Sequence, residues 1–135
     1  ADRSLASSTT FADRTGDLLV TLLPNTSYLL RGNLRIGAGS TTPDIKFEIV
    51  CPAGATIAVN FSTNNLATNS IRWLTACSVS TNQIDVPTSE TIVDLAGRVT
   101  VGGTGGTLRL RWAQNQTNGS AVIVRAGAHW TLSPY

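Results

Sequence analysis

One histidine, His129, two cysteines, Cys51 and Cys77, and eight carboxylates are the residues of this 135-residue chain with the chemistry for catalysis or metal binding. Any imidazole general base has to be His129. Its neighbours Trp130 and Leu132 alternate against Thr131, which places His129 on the side of a strand facing away from the expected core. Asp44 and Glu48 share one face of a strand, about 13 Å apart at ~3.3 Å per residue. That separation exceeds either carboxylate spacing used for glycoside hydrolysis, so both are expected to be solvated charges. Asp13 and Asp17 flank a turn at Gly16, but two carboxylates with little else nearby are too few for a calcium site. Two thiols far apart in sequence and one histidine make no zinc-ligand spacing.

The run Val101-Gly-Gly-Thr-Gly-Gly106 has the glycine content of a phosphate cradle. Such loops work by leading a strand into a helix N-terminus, and here a strand pattern follows. It reads instead as a hairpin turn whose glycines take positive φ. The chain has neither a G-x-S-x-G elbow nor an H-E-x-x-H pair. The expectation is therefore a protein that is not an enzyme, with no catalytic, cofactor-binding or metal-binding residues and no cofactor. Four N-x-[ST] sequences begin at Asn25, Asn60, Asn115 and Asn118; in a chain rich in Asn, Ser and Thr they mark exposed turns.

Cys51 and Cys77 lie in the apolar runs FEIVCP and LTACSV. Buried cysteines in such settings behave as small hydrophobes, so two reduced thiols are expected rather than a bridge.

The surrounding composition narrows the class. Charged residues make up 13% and hydrophobics 41%, against roughly 25% charged in an average globular chain; a charge-rich disordered segment is excluded. Nine of the ten basic residues are arginine, and they are scattered. Nucleic-acid binding, which needs clustered cations, is not expected. The longest uncharged stretch, 49–71, is broken by Pro52, Gly54 and several asparagines, so it is no membrane helix. The N-terminus lacks the apolar segment of a signal peptide. Its first residue, Ala1, suits a trimmed initiator methionine and an excised domain equally.

Hydrophobic periodicity is two throughout. Ile45, Phe47, Ile49 and Cys51 oppose Asp44, Lys46 and Glu48, and Leu108, Leu110 and Trp112 oppose Arg109 and Arg111. These are half-buried antiparallel strands. Further strands are expected over 17–23, 27–37, 55–61, 70–80, 90–101, 120–125 and 129–132. Turns are expected at Pro24-Asn25, 37–43, 102–106 and 115–119, and a loop over 81–89. Eight to nine strands at this spacing predict an all-β antiparallel sandwich or jelly roll. Residues 1–16 are polar and form an expected arm, and residues 17–135 a single β-sandwich domain. Trp112 belongs to the core by its alternation, Trp73 and Trp130 to core or interface. Arg109, Arg111 and Arg125 point outward, as solvated charges or interface anchors.

The C-terminal run LRLRWAQNQTNGSAVIVRAGAHWTL, Leu108 to Leu132, resembles the closing strands of small jelly-roll virion proteins of tailed bacteriophages, especially those of actinobacteria. There the pattern is TLxLxWAQ, an Asn-containing turn, then AxxVxAGSxLxL. LPNTSYLLRGNLRI, from Leu23 to Ile36, and PDIKFEIVCPAGATIAV, from Pro43 to Val59, are similar to that family's LxANATYxxxxxLxY and DIxxxWxxPAGA stretches. The chain departs from the pattern at Ala128 and His129, where Ser is common, and at 49–51, where the family's Trp is missing.

The resemblance implies a module on the virion exterior, a head decoration protein or a domain of a head or tail fibre, with no residue whose role transfers. The expected function is capsid decoration: a homotrimer that binds the major capsid protein and stabilises the assembled head, with no nucleic-acid or membrane partner. The alternative is a receptor-binding or fibre-tip domain that contacts host surface glycans. That alternative predicts an exposed aromatic in a polar groove, with Trp73 and Tyr135 as candidates.

Overall fold

The computed structural model describes residues 3–6, 8–11, 18–38, 44–64, 69–81, 84 and 90–135. Ten strands run in the order β1 (Arg3–Leu5), β2 (Leu19–Leu22), β3 (Ser27–Ala38), β4 (Ile45–Val50), β5 (Thr56–Asn64), β6 (Asn69–Leu74), β7 (Thr91–Thr100), β8 (Gly106–Gln114), β9 (Val122–Val124) and β10 (His129–Pro134). Every strand pair is antiparallel. The larger sheet is ordered β1-β9-β3-β7-β5-β6, with β10 also on β3, and the smaller β2-β8-β4.

The pairings are nested. β5 pairs β6, and around that hairpin β4 meets Ile84, β3 pairs β7 and β2 pairs β8. A long two-stranded ribbon rolled up in this way places alternate pairs in opposite sheets, which is the order of a jelly roll. The chain is thus the antiparallel β-sandwich its alternation predicts. Beyond the eight-segment roll, β9, β10 and β1 widen the larger sheet past β3.

The inward residues follow the two-residue period. Leu30, Leu34 and Ile36 of β3, Phe47 and Ile49 of β4, Val59 and Phe61 of β5, and Leu108, Leu110 and Trp112 of β8 are all buried. Phe47 and Phe61 stack between the sheets with ring centroids 5.1 Å apart. Trp112 is in the core, as its face requires. Trp130 is half-buried, its Cβ against the position where Gly32 has no side chain.

Several expectations are corrected. Cys51 and Cys77 form a disulfide, with Cα atoms 5.8 Å apart. Sequence context alone shows two apolar runs; the roll lays the segment after β6 along the free edge of β4. There Ser78 N–H donates to the Ile49 carbonyl, Thr81 N–H to the Phe47 carbonyl, and Phe47 N–H to the Thr81 hydroxyl. The two cysteines stand at the mouth of that ladder, within bridging distance.

Residues 101–105 are not a hairpin turn within one sheet. They carry the chain from β7 in the larger sheet to β8 in the smaller one, and the glycines with positive φ among the described residues are Gly54 and Gly127. Close approach explains glycine here: a Cβ on Gly105 would lie 2.8 Å from the Leu22 carbonyl oxygen. The turn at Pro24-Asn25 is present, with Asn25 at φ 54°, a conformation asparagine tolerates.

Arg3–Leu5, expected in a polar arm, pairs with Val122–Val124; three residues are too few to display an alternation. Glu48 is 8% exposed rather than solvated, and its carboxylate meets Arg111 at 3.2 Å. Segment 8–11 lies over this end of the smaller sheet: Ser8 pairs with Gln114, and the Phe11 ring sits 4.9 Å from the Lys46 ammonium. The sequon residue Asn60 is inside β5 rather than in a turn. Asp13, Asp17, and the parts of the expected turns and loops at 39–43, 82–83 and 85–89 lie outside the described residues.

Candidate functional site

The face of the larger sheet turned away from the core carries the residues with recognition chemistry. Strand register fixes its rows. Thr131, Arg31, Ala96, Asn60 and Trp73 stand side by side from β10 to β6. The next row runs His129, Asn33, Asp94, Ser62 and Ile71, and on the other side Ser133, Leu29, Arg98 and Ala58. All point outward because they alternate with the buried positions of the same strands.

Side-chain size shapes this face. Ala58, Asn60 and Ser62 on β5, with Ala96 on β7, form a low floor of short side chains. On one side stand Trp73, 62% exposed, and Ile71. On the other stand the long side chains of Arg98 and Arg31, both exposed. The result is a shallow trough along β5, about 13 Å from Ala58 to Ser62 at ~3.3 Å per residue. Trp73 and Arg31 face each other across three strand spacings, about 14 Å.

The polar groups on and around the trough differ in their engagement. Asn33 Nδ2 donates to Asp94 Oδ1 at 3.0 Å. Glu90, near the far end of β3, takes Arg35 at 2.6 Å and Arg125 at 3.2 Å. Arg31 reaches only the carbonyl of its neighbour Leu30, at 3.4 Å, and it and Arg98 face no carboxylate within ion-pair distance among the described residues. The amide oxygen of Asn60, beside Trp73, is buried without a hydrogen-bond partner. An unpaired buried acceptor costs about 1–3 kcal/mol.

The residues singled out from sequence are dispersed. Tyr135 is 64% exposed, but its N–H pairs with Ser27 at the start of β3, so it does not join Trp73. Arg125 is held in the Glu90 cluster and Arg111 on Glu48; Arg109 is half-buried on the outward face of the smaller sheet. His129 Nδ1 lies 3.0 Å from the Gly127 carbonyl oxygen. A carbonyl only accepts, so Nδ1 carries the hydrogen. Among the described residues no three of His, Cys, Asp and Glu come together as a metal site would require.

Sequence reasoning missed Arg98, Asn60 and Gln114. The first two gain meaning only from which strands are neighbours. Gln114 is fully buried and satisfied: its Nε2 donates to the carbonyls of Asn118 and Ser120, and its Oε1 accepts from the N–H groups of Ser8 and Asn118.

No protein-family model matches the chain, and no curated protein matches it. Among solved structures, a chain described as "CBM4 structure and function" superposes with a TM-score of 0.37 at 9% sequence identity, covering 98% of this chain and 94% of that one. The fold assignment above rests on the strands and pairings of the chain itself.

Proposed function

We propose that the chain is a non-catalytic recognition module of a phage particle's exterior that takes up a glycan on the outward face of its larger sheet. The observation that carries this reading is Trp73, exposed on the edge strand beside Asn60 and the short polar floor of β5. An exposed indole offers a flat apolar platform, and a few polar groups next to it supply orientation. A sugar ring presents the complementary pair of surfaces, a C–H face and a hydroxyl rim. A glycan array probed with the wild-type chain and with Trp73→Ala tests it. Binding that Trp73→Ala abolishes is expected; an array that gives no signal, or the same signal with both proteins, overturns the reading.

A second reading, decoration of the capsid as a homotrimer on the major capsid protein, is favoured by a different surface. Among the described residues β2 is an edge strand of the smaller sheet, and Leu19 on it and Leu23 just after it are exposed. Apolar side chains on an unpaired edge suit burial against another protein. Co-sedimentation with undecorated capsids, and sedimentation at three times 14.2 kDa by the free chain, are the expected results. A monomer that ignores capsids overturns it.

A further inference from the structure

Resting on the glycan reading, we infer that the ligand of the trough is an acidic glycan, a sugar chain bearing carboxylates, with Trp73 stacking a ring and Arg31 and Arg98 binding its acid groups. Charge on the face decides this. Among the described residues the outward face carries two carboxylates: Glu90 holds Arg35 and Arg125, and Asp94 accepts from the Asn33 amide. Arg31 and Arg98 are exposed and without an acidic partner among the described residues, and they occupy the side of the trough opposite Trp73.

Register places these two arginines as a pair. Arg31 stands opposite Ala96, and Arg98 lies two residues along β7 from Ala96 on the same face. Such diagonal neighbours are about 7–8 Å apart, so two long guanidinium side chains converge on one stretch of ligand. Each guanidinium is a planar fork of donors that matches a carboxylate with two parallel hydrogen bonds. A neutral glycan would leave both forks to solvent. An acidic peptide would satisfy the forks but would present no sugar-like C–H face to Trp73. A chain of uronic sugars satisfies both features at once: the ring on Trp73 and carboxylates on Arg31 and Arg98.

Calorimetric titration of the full chain tests the inference with three probes: a tetramer of galacturonic acid, a neutral galactose tetramer, and a short polyglutamate of equal charge. The uronate is expected to bind at least tenfold more tightly than the neutral tetramer at low salt, with the gap closing at high salt because exposed charge pairs are screened. Arg98→Ala and Arg31→Ala should each remove most of that gap, weakening uronate binding far more than neutral-sugar binding. Trp73→Ala should weaken binding of both sugars. Equal binding of acidic and neutral tetramers, unaffected by the arginine variants, overturns the acidic ligand while the glycan reading stands. Binding of neither sugar overturns both. Polyglutamate binding as tightly as the uronate shows that charge alone is read, and overturns the inference. All three substitutions are at exposed positions, and matched thermal melts confirm that the variants remain folded.

Discussion

Gln114 and Ser8 clasp each other across most of the length of the chain: Ser8 N–H donates to the Gln114 side-chain oxygen at 3.1 Å, and Gln114 N–H donates to the Ser8 carbonyl at 3.3 Å. The same side chain also pins the loop after β8 through Asn118 and Ser120. One amide therefore ties the N-terminal segment, the end of β8 and the following loop into a unit. Gln114→Ala keeps the backbone bond to the Ser8 carbonyl but removes the four bonds of the side chain and leaves several backbone groups unpaired, at roughly 1–3 kcal/mol each before relaxation and water entry. A loss of about 3 kcal/mol in denaturant unfolding is expected, with faster amide exchange at Ser8 and Asn118. Removal of residues 1–14 should also lower the melting temperature, because it takes away β1 and the Ser8 clasp. An unchanged melting temperature would mean that neither contact bears on stability.

Thiol titration of the denatured protein without reductant should find no reactive groups. Cys51→Ser together with Cys77→Ser is expected to cost about 2–4 kcal/mol, the usual range for a native bridge. The loss should come with increased proteolysis or amide exchange over 78–81, the segment the bridge holds to the edge of β4. Two free thiols in protein isolated under oxidising conditions would contradict the pairing.

Trp112→Ala should cost roughly 3–5 kcal/mol, as truncations of large buried side chains do. A loss below ~1 kcal/mol would put Trp112 at the surface and reverse the faces of β8.

Gly97 sits in the middle of β7, where an added Cβ would lie 2.1 Å from the Ala58 carbonyl oxygen and 2.7 Å from the Val59 Cα. The atoms in the way are backbone of the neighbouring strand, so no side-chain rotation relieves the contact. Gly97→Ala should lower stability by more than 2 kcal/mol, measured by chemical denaturation, whereas Gly103→Ala, with open space around it, should change it little.

Strands β3, β4, β5, β7 and β8 were legible because one side of each faces the core, which forces apolar residues onto alternate positions; Phe47 and Ile49, or Leu108 and Leu110, reveal the pattern without any structure. Arg3–Leu5 is too short to carry a period, and its pairing with Val122–Val124 depends on what the far end of the chain does. The disulfide was hidden for a related reason. Two apolar flanks describe the local setting of each cysteine, while the bridge depends on the expected strand over 70–80 ending at Leu74 and residues 78–81 being laid along β4. Trp73 was recognisable as an exposed candidate. Its trough was not, because Asn60, Ala96, Arg31 and Arg98 come from three strands whose adjacency is a property of the roll.

The nested pairing has a consequence for how this chain is made. The innermost pair, β5 with β6, needs only a short loop closed, whereas β3 must wait for β7 and β2 for β8. Loop-closure entropy is spent before such distant pairings return anything, so folds of this kind form slowly. On a ribosome, Leu19–Leu22 emerges before its partner strand and waits until Gly106–Gln114 has been synthesised. Through that interval the apolar side chains of Leu19, Val20, Leu22 and Leu23 have no partner strand to shelter them. Among the strands of the roll itself β2 thus waits longest for its partner, and of the described strands only the three-residue β1, which waits for Val122–Val124, waits longer; β2 is the apolar segment most in need of a holding chaperone during translation.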